Sequence, residues 1–127
     1  MIKYQHRTGA TLGSFVPFLV GGELVLTSVS LHGIAPGDEV IVGIEIGWAN
    51  PMSLDMGELE IRLKRDAPDG ETVEWSLESC FLSAVTRLEY RTTGGNPDQL
   101  YYLIVSSREQ LARITGPYVL DGRVEAR

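Results

Sequence analysis

The chain is poor in the residues from which most active sites are assembled. It holds one cysteine, Cys80, in 127 residues, so neither an internal disulfide nor a thiolate zinc cluster can form. Its two histidines, His6 and His32, match no metal-ligand spacing and leave a nucleophile without a base. Cationic side chains are outnumbered, 11 Lys and Arg against 17 Asp and Glu, for a formal net charge of -6. That imbalance argues against general nucleic-acid binding and against docking on anionic lipid, both of which need basic patches. No apolar run approaches the roughly 18 residues that suggest a membrane span. The longest, Phe15 to Val20, is broken by Pro17 and ends at Gly21-Gly22. The opening residues MIKYQHRTGATLGS lack the apolar core of a secretory signal. Asn50 and Asn96 each precede proline, so there is no glycosylation sequon, and Gly-rich, Lys-terminated phosphate loops are absent too.

What the chain does have is a period of two. In Glu39 to Trp48, the residues Val40, Val42, Ile44, Ile46 and Trp48 share one side, with Gly43, Glu45 and Gly47 on the other. In Glu58 to Lys64, Leu59, Ile61 and Leu63 alternate with Glu58, Glu60, Arg62 and Lys64. Such alternation sets one face on a core and one in water, as in antiparallel sheets. The habit recurs in Glu23 to Leu31, Thr72 to Leu77, Cys80 to Tyr90, Leu100 to Ser106 and Pro117 to Glu125, with shorter strands expected within Ile2 to Arg7 and around Phe15 to Val20. Turn chemistry separates them at Gly21-Gly22, Ala35 to Asp38, Asn50-Pro51, Pro68 to Gly70, Gly94 to Asp98 and Asp121-Gly122. Only Ser106 to Arg113 offers a helical turn. Many short strands with regular turns predict one all-β domain, an antiparallel β-sandwich or jelly roll.

The candidate chemistry is sparse. Cys80 opens an apolar stretch with Phe81 and Leu82, an environment that suits a buried structural thiol better than a reactive one. The carboxylates of Asp66, Asp69 and Glu71 read as the corner of a hairpin rather than a calcium loop, since the longer ligand pattern is missing. Trp48 falls on the core side of its strand. Tyr101 and Tyr102 face opposite ways, so one of them is expected at a surface or an interface. No catalytic residue, metal ligand or cofactor site emerges.

The segment 1–22 is the oddity. Ile2, Tyr4, Leu12, Phe15, Phe18, Leu19 and Val20 make it too apolar for a disordered tail, while Gly9, Gly13 and Pro17 suit an extended arm. Two readings stand side by side: an arm that adds a strand to a neighbouring subunit, or an ordinary edge strand of the same sandwich. On the first, residues 1–22 form an N-terminal arm on a sandwich of residues 23–127. Its self-assembly contacts are then Ile2, Tyr4, Phe15 and Phe18, with Tyr101 or Tyr102 as secondary ones.

Four motifs occur in order: Val40 to Trp48, Leu59 to Asp66, Leu100 to Val105, and Ala112 to Val119 with its Thr115-Gly116-Pro117. In these the chain resembles the small exosporium-type proteins of endospore-forming Gram-positive bacteria, over about residues 24–127. The resemblance implies a jelly roll of the C1q and tumour-necrosis-factor kind and no enzymatic activity. It also implies homo-oligomeric or polymeric assembly (trimer, coat layer or filament) at a spore or other extracellular surface, reached without a signal peptide. The alternative is a jelly-roll module that binds carbohydrate or another surface through an exposed aromatic, Trp75 or Tyr101, beside the Asp66 to Glu71 loop, with surface glycans as partners.

Overall fold

The computed structural model describes residues 1–52 and 55–127. Nine strands build it: β1 (Ile2–Ala10), β2 (Phe18–Val20), β3 (Leu24–Leu31), β4 (Glu39–Ala49), β5 (Gly57–Arg65), β6 (Glu71–Cys80), β7 (Ser83–Thr93), β8 (Gln99–Ser106) and β9 (Ala112–Glu125). They form two antiparallel sheets. One has the order β1-β9-β4-β7, with β2 also on β9; the other has the order β3-β8-β5-β6. Apart from the β5–β6 hairpin and the step from β1 to β2, each connection crosses between the sheets, which is the jelly-roll pattern of paired Greek keys. The sandwich expected from the alternation is therefore the fold.

The alternation also explains the core. Val40, Val42, Ile44, Ile46 and Trp48 of β4 meet Leu59, Ile61 and Leu63 of β5, together with Tyr101, Leu103 and Val105 of β8, in one buried cluster. The Trp48 indole N–H donates to the Thr86 hydroxyl at 3.0 Å, so the largest core side chain keeps a partner for its polar atom.

The segment 1–22 takes the edge-strand reading. β1 pairs with the C-terminal half of β9 from Ile2↔Glu125 to Ala10↔Tyr118, and β2 pairs with its start from Phe18↔Ile114 to Val20↔Ala112. Within this chain it is not a projecting arm separate from residues 23–127. The physical reason is that β9 would otherwise leave the backbone groups of a whole edge unpaired. The free side of β1 is stitched to β3 by side chains. Thr27 donates to the Thr8 hydroxyl, Thr8 donates to the Ser28 carbonyl, and His6 Nδ1 accepts the Ser30 amide N–H at 3.0 Å. Nearby, buried Asp38 gathers both chain ends, taking Lys3 Nζ at 2.5 Å, the Ala35 amide at 2.9 Å and the Arg127 amide at 3.4 Å.

The opposite edges, β6 and β7, lie side by side. On β6 the core-facing positions include Glu74, Ser76 and Glu78, which pair in register with Leu63, Ile61 and Leu59. Three boundaries differ from the sequence pattern. Cys80 to Tyr90 is not one strand: the chain turns at Phe81-Leu82, held by Asn50, whose amide N–H bonds the Leu82 carbonyl and whose side chain bonds the Phe81 carbonyl. β9 runs straight through Gly116-Pro117, where the β4–β9 register slips between Ile46 and Trp48. Ser106 to Arg113 makes no helical turn; its ends belong to β8 and β9, and Gln110 closes a β-turn onto Ser107.

Candidate functional site

The outer face of the second sheet exposes two large apolar side chains next to a cluster of charged and polar ones. Trp75 is 52% exposed and Leu77 is 50% exposed, both pointing away from the core on β6. The register sets Trp75 opposite Arg62 and Leu77 opposite Glu60 on β5, and Glu60 in turn opposite Ser106 on β8. Glu60 is the hub. Its carboxylate accepts the Trp75 indole N–H at 3.1 Å, the Ser106 hydroxyl at 3.0 Å and the Arg62 guanidinium at 2.7 Å.

These contacts fix the chemistry of the face. The Trp75 hydrogen bond, followed by the Ser106 hydroxyl and the charges of Arg62 and Arg108, holds the Glu60 carboxyl below its ordinary range against the opposing effect of burial. Glu60 is thus ionised across ordinary pH, and Trp75 is held by its N–H edge with much of the ring in water. Beside it lies a depression of about 290 Å³ lined by Glu58, Glu60, Leu77, Ser106, Ser107 and Arg108. The Ser107 hydroxyl is spent on the Glu58 carbonyl and receives the Leu111 amide, so the loop after β8 forms a fixed wall. A rigid aromatic plate flanked by carboxylates, a guanidinium and hydroxyls can stack an apolar ring face and hydrogen-bond polar groups around its rim.

The residues singled out in the sequence are dispersed. Tyr101 is fully buried, its hydroxyl donating to Gln99 Oε1 at 2.5 Å and its ring tilted on Tyr90 at 6.1 Å. Burial, reinforced by Tyr90, pushes its phenol up to about 12. It is neither a binding platform nor a subunit contact, because the alternation of β8 turns it into the core. Tyr102 faces outward and is half-buried. Phe15 packs against Phe18 and Tyr118, and both phenylalanines lie on the core cluster. Tyr4 sets its ring edge-on to His32 at 5.6 Å; of the four arm residues only Ile2 is largely exposed. None of these approaches Trp75. The Asp66 to Glu71 corner is the β5–β6 hairpin, with Glu71 paired to Arg65 at 2.9 Å. His32 bonds Asp98 at 2.8 Å, and burial pushes the Cys80 thiol up, away from the nucleophilic thiolate.

The alternation sets Glu60 on an outward face and leaves Trp75 and Tyr101 as the two candidates for an exposed aromatic, and nothing local joins the indole to the carboxylate. The alternating Glu58, Glu60, Arg62 and Lys64 was the available signal; the β5–β6 register is what brings the indole to the carboxylate.

No protein-family model matches the chain, and no curated protein sequence matches it. Among solved structures it is similar to the C-terminal domain of the sugar-binding protein EclA, at 12% identity and a TM-score of 0.49, covering 91% of this chain and 76% of that one. It is also similar to the CBM22-1 xylan-binding domain of Paenibacillus barcinonensis Xyn10C, at 13% identity and a TM-score of 0.37, covering 98% of this chain and 94% of that one.

Proposed function

We propose that this protein is a non-catalytic carbohydrate-binding β-sandwich module that presents Trp75 as its stacking platform. The observation that carries this reading is the exposed indole whose N–H is held by Glu60, beside a depression with polar walls. The face of an aromatic ring is electron-rich and attracts the weakly positive C–H groups of a pyranose, while the rim of hydroxyls needs charged and polar partners. Glu60, Ser106 and Arg108 supply those partners next to the ring. Because Trp75 is already held, little side-chain entropy is lost when a sugar arrives. The alternative of self-assembly through residues 1–22 is weakened by Phe15 and Phe18, whose rings are used inside their own chain.

The test is calorimetric titration of the full chain with cellohexaose, xylohexaose and maltohexaose, alongside Trp75→Ala. We expect at least one hexaose to bind and the substitution to weaken it about tenfold or more, the equivalent of about 1.4 kcal/mol. The chain should stay folded with only a modest fall in its melting midpoint, since the side chain lies outside the core and Glu60 keeps Ser106 and Arg62. Equal binding by Trp75→Ala, or no binding of any hexaose by the parent chain, would overturn the proposal.

A further inference from the structure

The other outer face, on the first sheet, holds a second depression of about 380 Å³. It exists because Gly43 interrupts a row of side chains: the register runs Arg7 on β1, Asp121 on β9, Gly43 on β4 and Glu89 on β7. A Cβ built at Gly43 would meet nothing nearer than the Asp121 carbonyl oxygen at 3.9 Å. The next row along β4 supplies Glu45 and Arg87. A further hollow of about 390 Å³ lies at the β9 bulge, between Gly47 and Gly116 on one side and Ser83 to Val85 on the other, about 13 Å along the strand from Gly43.

The walls are paired ions. Arg87 meets Glu45 at 2.9 Å, Arg7 lies 3.7 Å from Asp121, and Gln5 Nε2 bonds both Asp121 oxygens at 2.9 and 3.2 Å. Each pair offers donors and acceptors within one small patch. Neighbouring hydroxyls on a sugar ring each give and take a hydrogen bond, and carboxylate and guanidinium groups engage such pairs bidentately. Glu89 is paired in turn with Arg91 at 2.5 Å, so three carboxylates stand beside three guanidiniums, and the balanced patch favours neither a free anion nor a bare cation. The fitting ligand is neutral and rich in hydroxyl groups.

We infer that the Gly43 trough is a second saccharide site, for a neutral oligosaccharide lying along β4, which makes the module bivalent. The ligand class rests on the Trp75 reading; the location does not, because the two sites lie on outward faces of different sheets and share no residue. Two such faces on one small domain would cross-link glycan chains, and binding to an immobile polysaccharide would gain from multivalency.

The experiment is titration of the full chain with the same hexaoses, followed by calorimetry and by amide chemical shifts, in the parent chain, Trp75→Ala, Gly43→Leu and the double variant. Expected are two equivalents for the parent, one for each single variant and none for the double, with Gly43→Leu losing the shifts at residues 43, 45 and 121. A Gly43→Leu chain that titrates like the parent overturns the second site and leaves the Trp75 platform standing. Binding lost in Gly43→Leu and intact in Trp75→Ala supports the trough and overturns the platform. No hexaose binding by the parent overturns both. Should Gly43→Leu fail to fold, Arg87→Ala replaces it, since that side chain is largely in solvent. It should weaken the trough site several-fold, and an unchanged two-site titration would overturn the inference.

Discussion

Two glycines on the same face of β4 respond oppositely to the same methyl group. Gly47 lies under the point where β9 slips register, and a Cβ there would sit 2.1 Å from the Gly116 carbonyl oxygen and 2.6 Å from its carbon. Ordinary contacts begin about an ångström further out, and the obstacle is backbone, so Gly47→Ala has to move the 115–117 segment. Phe15 packs over Gly116 from the other side and resists that movement. Overpacking of this kind costs about 3 kcal/mol, and at roughly 4 °C per kcal/mol for a chain of this length the melting midpoint should fall by about 12 °C. Gly43→Ala is the matched control. Its Cβ enters open space, and relieving a strand glycine of its backbone freedom stabilises by about 0.5 kcal/mol, roughly 2 °C upward. Differential scanning calorimetry of both variants decides the matter. If Gly47→Ala melts with the parent, or if both variants fall together, then β9 does not press on Gly47 as described.

Two further predictions concern pH. Asp38 has its pKa lowered from 3.8, chiefly by the hydrogen bond from Lys3 and then by the Ala35 amide, so its contribution is present above that value and drains away as pH falls below it. The melting midpoint should drop on acidification through this range, and Asp38→Asn should start lower at neutral pH and fall less steeply; parallel curves would refute the assignment. Tyr101 behaves in the opposite sense at the alkaline end. With its phenol raised from 10.0 to about 12, the fold holds its proton more tightly than the unfolded chain does, so stability present below pH 10 is lost as pH rises towards 12. Absorbance titration should show one late-ionising tyrosine that disappears in Tyr101→Phe, and its persistence in that variant would point to another residue.

Much of this architecture was legible because strand periodicity is a local property. The inward sets of β4 and β5 follow residue by residue from Val40 to Trp48 and from Leu59 to Leu63. What was illegible depended on partners distant in the chain. Phe81-Leu82 contains no glycine or proline, and it turns because Asn50, some thirty residues earlier, ties down both carbonyls. Gly116-Pro117 has the composition of a break, yet β4 pairs with β9 before and after it on one edge, and β2 and then β1 do so on the other. The same holds for the site. Trp75 and Tyr101 were equal candidates for an exposed aromatic, and the carboxylate that orients Trp75 lies one strand away, at a register that alternation alone does not specify. Tyr101 and Tyr102 illustrate the limit, since their opposite facing was readable and the choice of which one entered the core was not.

The acids on the core side of β6 bear on how molecules of this protein meet. A strand from a second molecule laid along β6 would close over Glu74 and Glu78 and strip water from their carboxylates. Ser76, already bonded to Glu78, is the only hydroxyl between them on that side. Burying such charges without a cationic partner costs several kcal/mol, and inward charges of this sort are a known guard against edge-to-edge pairing. With β1 stitched to β3 on the far side, both rims of the sandwich discourage continuation of the sheets into a neighbour. At high concentration such molecules would meet by their faces or ends, leaving each β-sandwich a closed unit.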